Sequence, residues 1–312
     1  MIDTTKKHVL VYGDAFVDYI AEDRSNTTFK TYLGGATVNV AAGISRLGAP
    51  SSFITVTGDD ETSQFVRDEL GKEGVDLSFA KLENDKRVSG VYVHLLEGNE
   101  RLFHTYIDDT PDIQVEKSDL KNMAFKGASV LHICSGTMFH PTALKTTREA
   151  VHLAKESGAL LSVDANIRPL RWESEAICRE TILPFVVKAD LVKLTEEELF
   201  LLTETDTLDA GIARLASYQI PIILITAGEQ GTFAVIDGVM THVGVEPVVP
   251  VDTTGAGDAF IAGILRQIHL KGKPETRKEW IDIISFGNQL GALCATKPGA
   301  LSAMPRLEEI EK

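Results

Sequence analysis

Short aliphatic and β-branched runs alternate with segments of helical periodicity along most of the chain. Runs at 8–12, 52–56, 129–133, 159–164, 190–193, 221–226 and 232–236 have the length and composition of buried strands. Between them, 36–47, 61–73, 141–157, 174–187, 196–203 and 208–217 carry helical patterns, and 257–269 and 277–296 add two further helices. Strand and helix in alternation predict an α/β fold, a three-layer Rossmann-like domain with a mainly parallel central sheet that takes in residues 1–312. Ligands of such open sheets gather outside the carboxyl ends of the strands.

One region breaks this rhythm. Ser89 to Leu96 and Arg101 to Tyr106 flank the polar turn Glu97-Gly98-Asn99-Glu100, a β-hairpin pattern. With the segment around 15–34 it predicts a small β-sheet lid, formed from about 15–34 and 88–108. A lid over a ligand and a plain extra edge sheet are both open on pattern alone.

Composition narrows the classes of partner. A formal charge of −14 over 312 residues excludes the basic field that nucleic acid or an anionic membrane requires. A polyphosphate would have to be held by backbone amides, a few Lys or Arg and a divalent cation. No apolar run approaches a membrane span, and Met1 to Lys7 leads into the first strand without an apolar signal region, so a cytoplasmic protein is expected. Cys134, Cys178 and Cys294 are too scattered for a disulfide framework or a zinc motif, and the eight histidines show no metal-ligand spacing.

Candidate chemistry concentrates in Asp252-Thr253-Thr254-Gly255-Ala256-Gly257-Asp258, between the β-rich Val248-Val249-Pro250-Val251 and the apolar run from Ala259 to Leu265. A helix that starts there presents unpaired N–H groups and the positive end of its dipole, and glycine lets a phosphate approach closely. Asp258 beside an anion site would repel its ligand, which makes sense for a base that deprotonates an attacking hydroxyl. The plainer reading makes Asp252 and Asp258 helix caps.

Other polar clusters also fall at predicted strand ends. Asp14 and Asp18 follow the first strand, where a carboxylate can accept hydrogen bonds from sugar hydroxyls. Gly34-Gly35 precedes a helix that carries Asn39 one turn in, although a turn and a core amide would read the same. Asn166 and Arg168 lie in Asp164-Ala165-Asn166-Ile167-Arg168-Pro169, directly after a strand. Lys193-Leu194-Thr195-Glu196-Glu197-Glu198 has capping-box spacing, and Thr226-Ala227-Gly228-Glu229-Gln230-Gly231 joins two strands.

Taken in order, Gly34-Gly35 with Asn39, Lys193-x-Thr195-x-x-Glu198, Thr226-Ala227-Gly228-x-x-Gly231 and Asp252 to Asp258 closely resemble the ribokinase-like (PfkB) family of carbohydrate kinases, from about residue 8 to about 305. The resemblance implies an ATP- and Mg²⁺-dependent kinase acting on a small sugar. Asp258 would be its base, and the amides of Gly255, Ala256 and Gly257 its anion hole. It implies sugar contacts from Asp14, Asp18, Gly34, Gly35, Asn39, Asn166 and Arg168, with Arg101 reaching in from the lid. Lys193, Thr195, Thr226, Gly228, Gly231 and Asn288 match its nucleotide site, and Glu198 its Mg²⁺-organising residue. Asp252 and the Thr254 carbonyl match a K⁺ site found in many relatives. Within the family, Gly13 to Asp18 and Asp164 to Trp172 look most like fructokinases and 2-keto-3-deoxygluconate kinases. Asp108 and Asp109 would repel a sugar carboxylate, which favours neutral fructose, phosphorylated on its C6 hydroxyl, over the keto acid. A homodimer paired through the lid is a further expectation, and a sugar or nucleotide sensor on the same fold is the alternative from another class.

Overall fold

The computed structural model describes residues 6–96, 101–107 and 114–310. The chain begins with strand β1 (His8–Tyr12), then β2 (Phe16–Ala21), β3 (Phe29–Gly34), helix α1 (Ala36–Arg46), β4 (Ser51–Ile54), β5 (Val56–Thr57) and α2 (Glu61–Lys72). It continues with β6 (Lys81–Leu82), β7 (Gly90–Leu95), β8 (Arg101–Ile107), α3 (Asn122–Gly127), β9 (Ala128–Cys134), α4 (Pro141–Glu156), β10 (Leu160–Asp164) and α5 (Glu175–Val186). The remainder is β11 (Leu191–Thr195), α6 (Glu196–Thr203), α7 (Leu208–Ala216), β12 (Ile222–Thr226), β13 (Thr232–Ile236), β14 (Val239–Val243), α8 (Ala256–Lys271) and α9 (Arg277–Ala295).

Eight strands form the main sheet in the order β14-β13-β12-β11-β10-β9-β1-β4. Pairing is parallel from β12 through β4, whereas β13 and β14 are added antiparallel. Alternate residues of β1 enter different cores: Leu10 and Tyr12 pack with α3 to α7 on one face, Val9 and Val11 with α1, α2, α8 and α9 on the other. This two-sided burial explains why strands such as Ile222-Ile223-Leu224-Ile225 are continuously apolar. It is the three-layer, mainly parallel α/β arrangement expected from the alternation.

A second sheet has the order β3-β2-β7-β8. Its pairings join the 16–34 segment to the 90–107 hairpin through parallel β2 and β7, so the two pattern-breaking regions do form one small sheet. The expected turn at Glu97 to Glu100, and Asp108 and Asp109, lie outside the described residues.

Two expectations need correction. Val248 to Val251 is not a strand: its backbone is irregular and Val249 is 84% exposed. Pro247 and Pro250 remove amide donors there, and the amides of Val251 and Asp252 both donate to the Ala295 carbonyl. The pattern reading also missed β14, which follows an Asp237-Gly238 turn with both residues at positive φ, the backbone of a tight hairpin.

Chain order defines where a crevice must open. After β1 the chain passes to β4 on one side and later returns to β9 on the other, so the β1–β9 boundary is a topological switch point. The small sheet and the start of α8 face the same end of the main sheet.

Candidate active site

At that switch point a cavity of about 260 Å³ brings together residues that are far apart in sequence. Asp14 enters from the loop after β1, Asp18 from β2, Gly34, Gly35 and Asn39 from the β3–α1 junction. Asn166 and Arg168 come from the loop after β10, and Gly255 and Asp258 from the start of α8. Arg101, the remaining residue implied as a sugar contact, pairs with Leu95 in the small sheet, and its side chain lies outside the described residues.

Glycines set the shape of the wall. A Cβ on Gly34 would stand 2.7 Å from an Asp18 carboxylate oxygen, so the bare backbone makes room for that carboxylate. Gly35 is the N-cap of α1 at φ 111, a conformation that side chains resist. Asn166 is held at φ 37 by its amide bond to Asp164 Oδ1 and by Ser135 Oγ donating to its carbonyl.

Asp258 lies in the first turn of α8 and is 7% exposed. Asn39 Nδ2 donates to its Oδ2 at 2.8 Å. Burial pushes the Asp258 pKa up to about 7, opposed by that hydrogen bond, while Asp164 raises it further and Lys193 and Arg168 pull it down. A base poised near neutrality suits proton transfer from a hydroxyl. Asn39 borders the cavity, and its Oδ1 is buried without a partner, an acceptor held beside Asp258.

Gly255 caps α8 at φ 80. The Ala256 amide donates to the Thr253 carbonyl, so this expected member of the anion hole is turned inward by the turn itself. The amides of Gly257 and Asp258 also precede the first intrahelical donor, Ala259, and have no acceptor within the helix. Beneath them lies Lys193, 4% exposed, whose Nζ would stand 3.0 Å from a Cβ on Gly257. It pairs with both oxygens of Asp164, at 3.1 and 3.2 Å. Burial works against the lysine charge, but Asp164, Glu198 and Asp258 outweigh it and hold its pKa above the usual value.

Glu198 and Thr195 form the expected capping box, and the second Glu198 oxygen accepts from the Ile167 amide at 2.7 Å. Burial raises the Glu198 pKa against the pull of Lys193. Among the described residues no cluster of three metal-ligating side chains exists. A single oriented carboxylate such as Glu198 suits Mg²⁺, which keeps several waters and binds through one or two carboxylates plus substrate phosphates.

The other residues implied for a nucleotide loop sit together at one end of the sheet. Thr195 and Thr226 are register partners on β11 and β12, and Gly228 and Gly231 shape the β12–β13 connection at φ 54 and φ 87. Asn288 differs from the expectation: its Nδ2 donates to the carbonyls of Val243 and Gly244, and its Oδ1 accepts from Thr232. It latches α9 to β13 and the end of β14, with its hydrogen-bonding capacity largely spent inside the protein. Asp252 Oδ1 accepts from the Thr254 amide and hydroxyl, and its Oδ2 from the Gly299 amide, which draws the two segments of the implied K⁺ site together.

Sequence reasoning passed over Arg171 and Trp172, which also line the cavity. The Arg171 guanidinium lies 4.3 Å from the Phe139 ring centroid. Their signal was the run Arg168-Pro169-Leu170-Arg171-Trp172 itself, two cations and an indole just past a strand end.

This geometry defines a class. A doubly wound α/β fold carries, at its switch point, a cavity of sugar size bordered by several polar side chains, a buried carboxylate and a helix start with amides outside the intrahelical ladder. Residues 6–307 match the pfkB family of carbohydrate kinases. The chain belongs to that family. It is 35% identical to a fructokinase of Klebsiella pneumoniae over 97% of this chain and 98% of the other. A fructokinase from Vibrio cholerae O395, solved with fructose, ADP and calcium ion, superposes with a TM-score of 0.87 at 30% identity over 98% of each chain. An aminoimidazole riboside kinase from Salmonella enterica, solved with its riboside and an ATP analogue, has a TM-score of 0.85 at 25% identity, over 97% of this chain and 98% of that one.

Proposed function

We propose that the protein is an ATP-dependent fructokinase that transfers the γ-phosphoryl group to the C6 hydroxyl of fructose. The observation that carries this reading is Asp258: a buried carboxylate, raised to about 7, set between a hydroxyl-reading cavity and the Gly257 and Asp258 amides. Asp258 accepts the proton of the attacking hydroxyl. As the new oxygen–phosphorus bond forms, the bond to the β-phosphate oxygen breaks and ADP leaves. The amides and the Lys193 ammonium stabilise charge on the transferring group, which is most of what phosphoryl transfer demands of a protein. Mg²⁺, organised through Glu198, would neutralise phosphate charge; a K⁺ near Asp252 and Thr254 would firm the same turn.

Asp14, Asp18, the Asn39 amide and the Gly35 backbone offer acceptors and donors suited to sugar hydroxyls. The small sheet serves as the lid that excludes water from the reaction. Similarity to enzymes named fructokinase supports the choice of fructose. One observation favours a second reading, a 2-keto-3-deoxygluconate kinase: Arg168 and Arg171 both border the cavity and could pair a sugar carboxylate.

A coupled ADP-release assay with MgATP against fructose, 2-keto-3-deoxygluconate, ribose, tagatose and aminoimidazole riboside tests the proposal. Turnover confined to fructose is the expected result. Preference for the keto acid would transfer the assignment to the second reading, and preference for the riboside would overturn both.

A further inference from the structure

A second cavity, of about 450 Å³, opens at the opposite end of the main sheet. It is bordered by Lys6 before β1, Ser129 on β9, Lys155 at the end of α4, Asp190 before β11, and His269 and Lys273 around the end of α8. Its apolar floor comes from Ala159, Leu160 and Ile268. A chain with 45 acidic and 31 basic residues thus gathers three lysines against one carboxylate in this concavity.

Local structure accounts for part of that charge. Lys6 Nζ donates to the Ser157 carbonyl at 2.7 Å and the Lys126 carbonyl at 3.3 Å, which caps the end of α4. The carboxyl ends of α4 and α8 contribute about half a negative charge each. Asp190 adds another, with one oxygen accepting from the Leu161 amide at 2.8 Å. Three ammonium groups exceed that sum. Lys155 and Lys273 are exposed and make no hydrogen bond or ion pair among the described residues. His269 Nδ1 is engaged with Ser129 Oγ at 2.8 Å.

We propose that this cavity is a binding site for a small phosphomonoester, its phosphate held by Lys155 and Lys273 and its organic part lying on the Ile268 and Leu160 floor. Lysine is a point-charge partner for phosphate, and the volume is in the range of small-metabolite sites. The site lies at the end of α8 remote from Asp258, so ligand there need not compete with sugar or ATP. α8 spans 16 residues, roughly 24 Å at about 1.5 Å each, and links the two ends directly.

Glycine-selective isotope labelling of the full chain separates the two anion sites, because Gly158 and Gly272 line this cavity while Gly255 and Gly257 form the catalytic turn. Titration with glycerol 3-phosphate at low ionic strength is expected to shift the Gly158 and Gly272 amide resonances saturably. The double variant Lys155→Glu with Lys273→Glu should weaken that response about tenfold or more, the scale of losing charge-assisted contacts, and leave any response at Gly255 and Gly257 unchanged. Shifts confined to Gly255 and Gly257, or equal affinity in the charge-reversed variant, would overturn the proposal. Neither result depends on which sugar the enzyme phosphorylates.

Discussion

Replacing Asp258 with Asn separates what the residue does for chemistry from what it costs the fold. The Asp258 pKa rises from the ordinary 3.8 to about 7 on folding, because the carboxylate is buried. At about 1.4 kcal/mol per unit, ionising it in the native state costs roughly 4 kcal/mol. The sign follows from linkage: the native state holds this proton more tightly than the unfolded chain, so stability declines as pH climbs from about 4 and levels off above about 7. Asn is neutral and nearly isosteric, and Asn39 can turn its unpartnered Oδ1 towards the new amide. The variant is therefore expected to gain up to about 4 kcal/mol over wild type at pH 8 and little near pH 4, measured by urea unfolding across that range. Its turnover should fall about 10²- to 10⁴-fold, the usual worth of a general base, with ATP affinity kept. In the wild type, kcat/KM should rise with pH through about 7 as the base ionises. A stability difference that is flat in pH, or turnover close to wild type, would refute the assignment.

Asn39→Ala removes the donor that lowers the Asp258 pKa, so the rising limb of the pH–rate profile should move to higher pH, which rate measurements between pH 6 and about 9 would reveal. Gly34→Ala would press a methyl group against the Asp18 carboxylate and is expected to raise the sugar KM about 10- to 100-fold, with the KM for ATP unchanged in the same assay. Lys193→Met leaves Asp164 buried without its partner and should cost about 3–5 kcal/mol in urea unfolding, most of it recovered in the double variant with Asp164→Asn. Tyr32 and Leu102 stand exposed on the two edge strands of the small sheet; if that sheet pairs two copies, Leu102→Glu should convert a dimer to a monomer by sedimentation, with no change expected from Leu170→Glu elsewhere.

The parallel strands were legible because burial on both faces makes them mostly apolar, with a few buried polar residues such as His132 and Ser162, and the helices between them because one face alone is apolar. β14 was harder: Val239-Met240-Thr241-His242-Val243 is an edge strand, largely exposed, and its one strong signal was the Asp237-Gly238 turn before it. The site motifs were legible where chemistry is local, as in the Thr195 to Glu198 capping box. Contacts across the fold were not. Asn39 and Asp258 are 219 positions apart, and Asp164 and Lys193 meet as neighbours across parallel strands. Nothing in either local sequence states that an amide read as a sugar contact also holds Asp258, or that a lysine read as a nucleotide contact is paired with Asp164 beneath the start of α8.

Asp164, Glu198 and Asp258 are three of the carboxylates at this end of the sheet, and their surroundings set them apart. Asp164 is paired with Lys193, so its charge is matched within the fold. Glu198 is raised by burial, yet its two oxygens accept from the amides of Thr195 and Ile167, which fixes its orientation and leaves it suited to water-mediated contact with a cation. Asp258 has a single side-chain donor, Asn39, and borders the cavity where a hydroxyl would lie. Of the three, it combines a pKa near neutrality with an oxygen that no group among the described residues claims. Carboxylates of one chemical type are thus driven into different states by pairing, capping and burial, and the proposal of Asp258 as base rests on environment rather than on residue type.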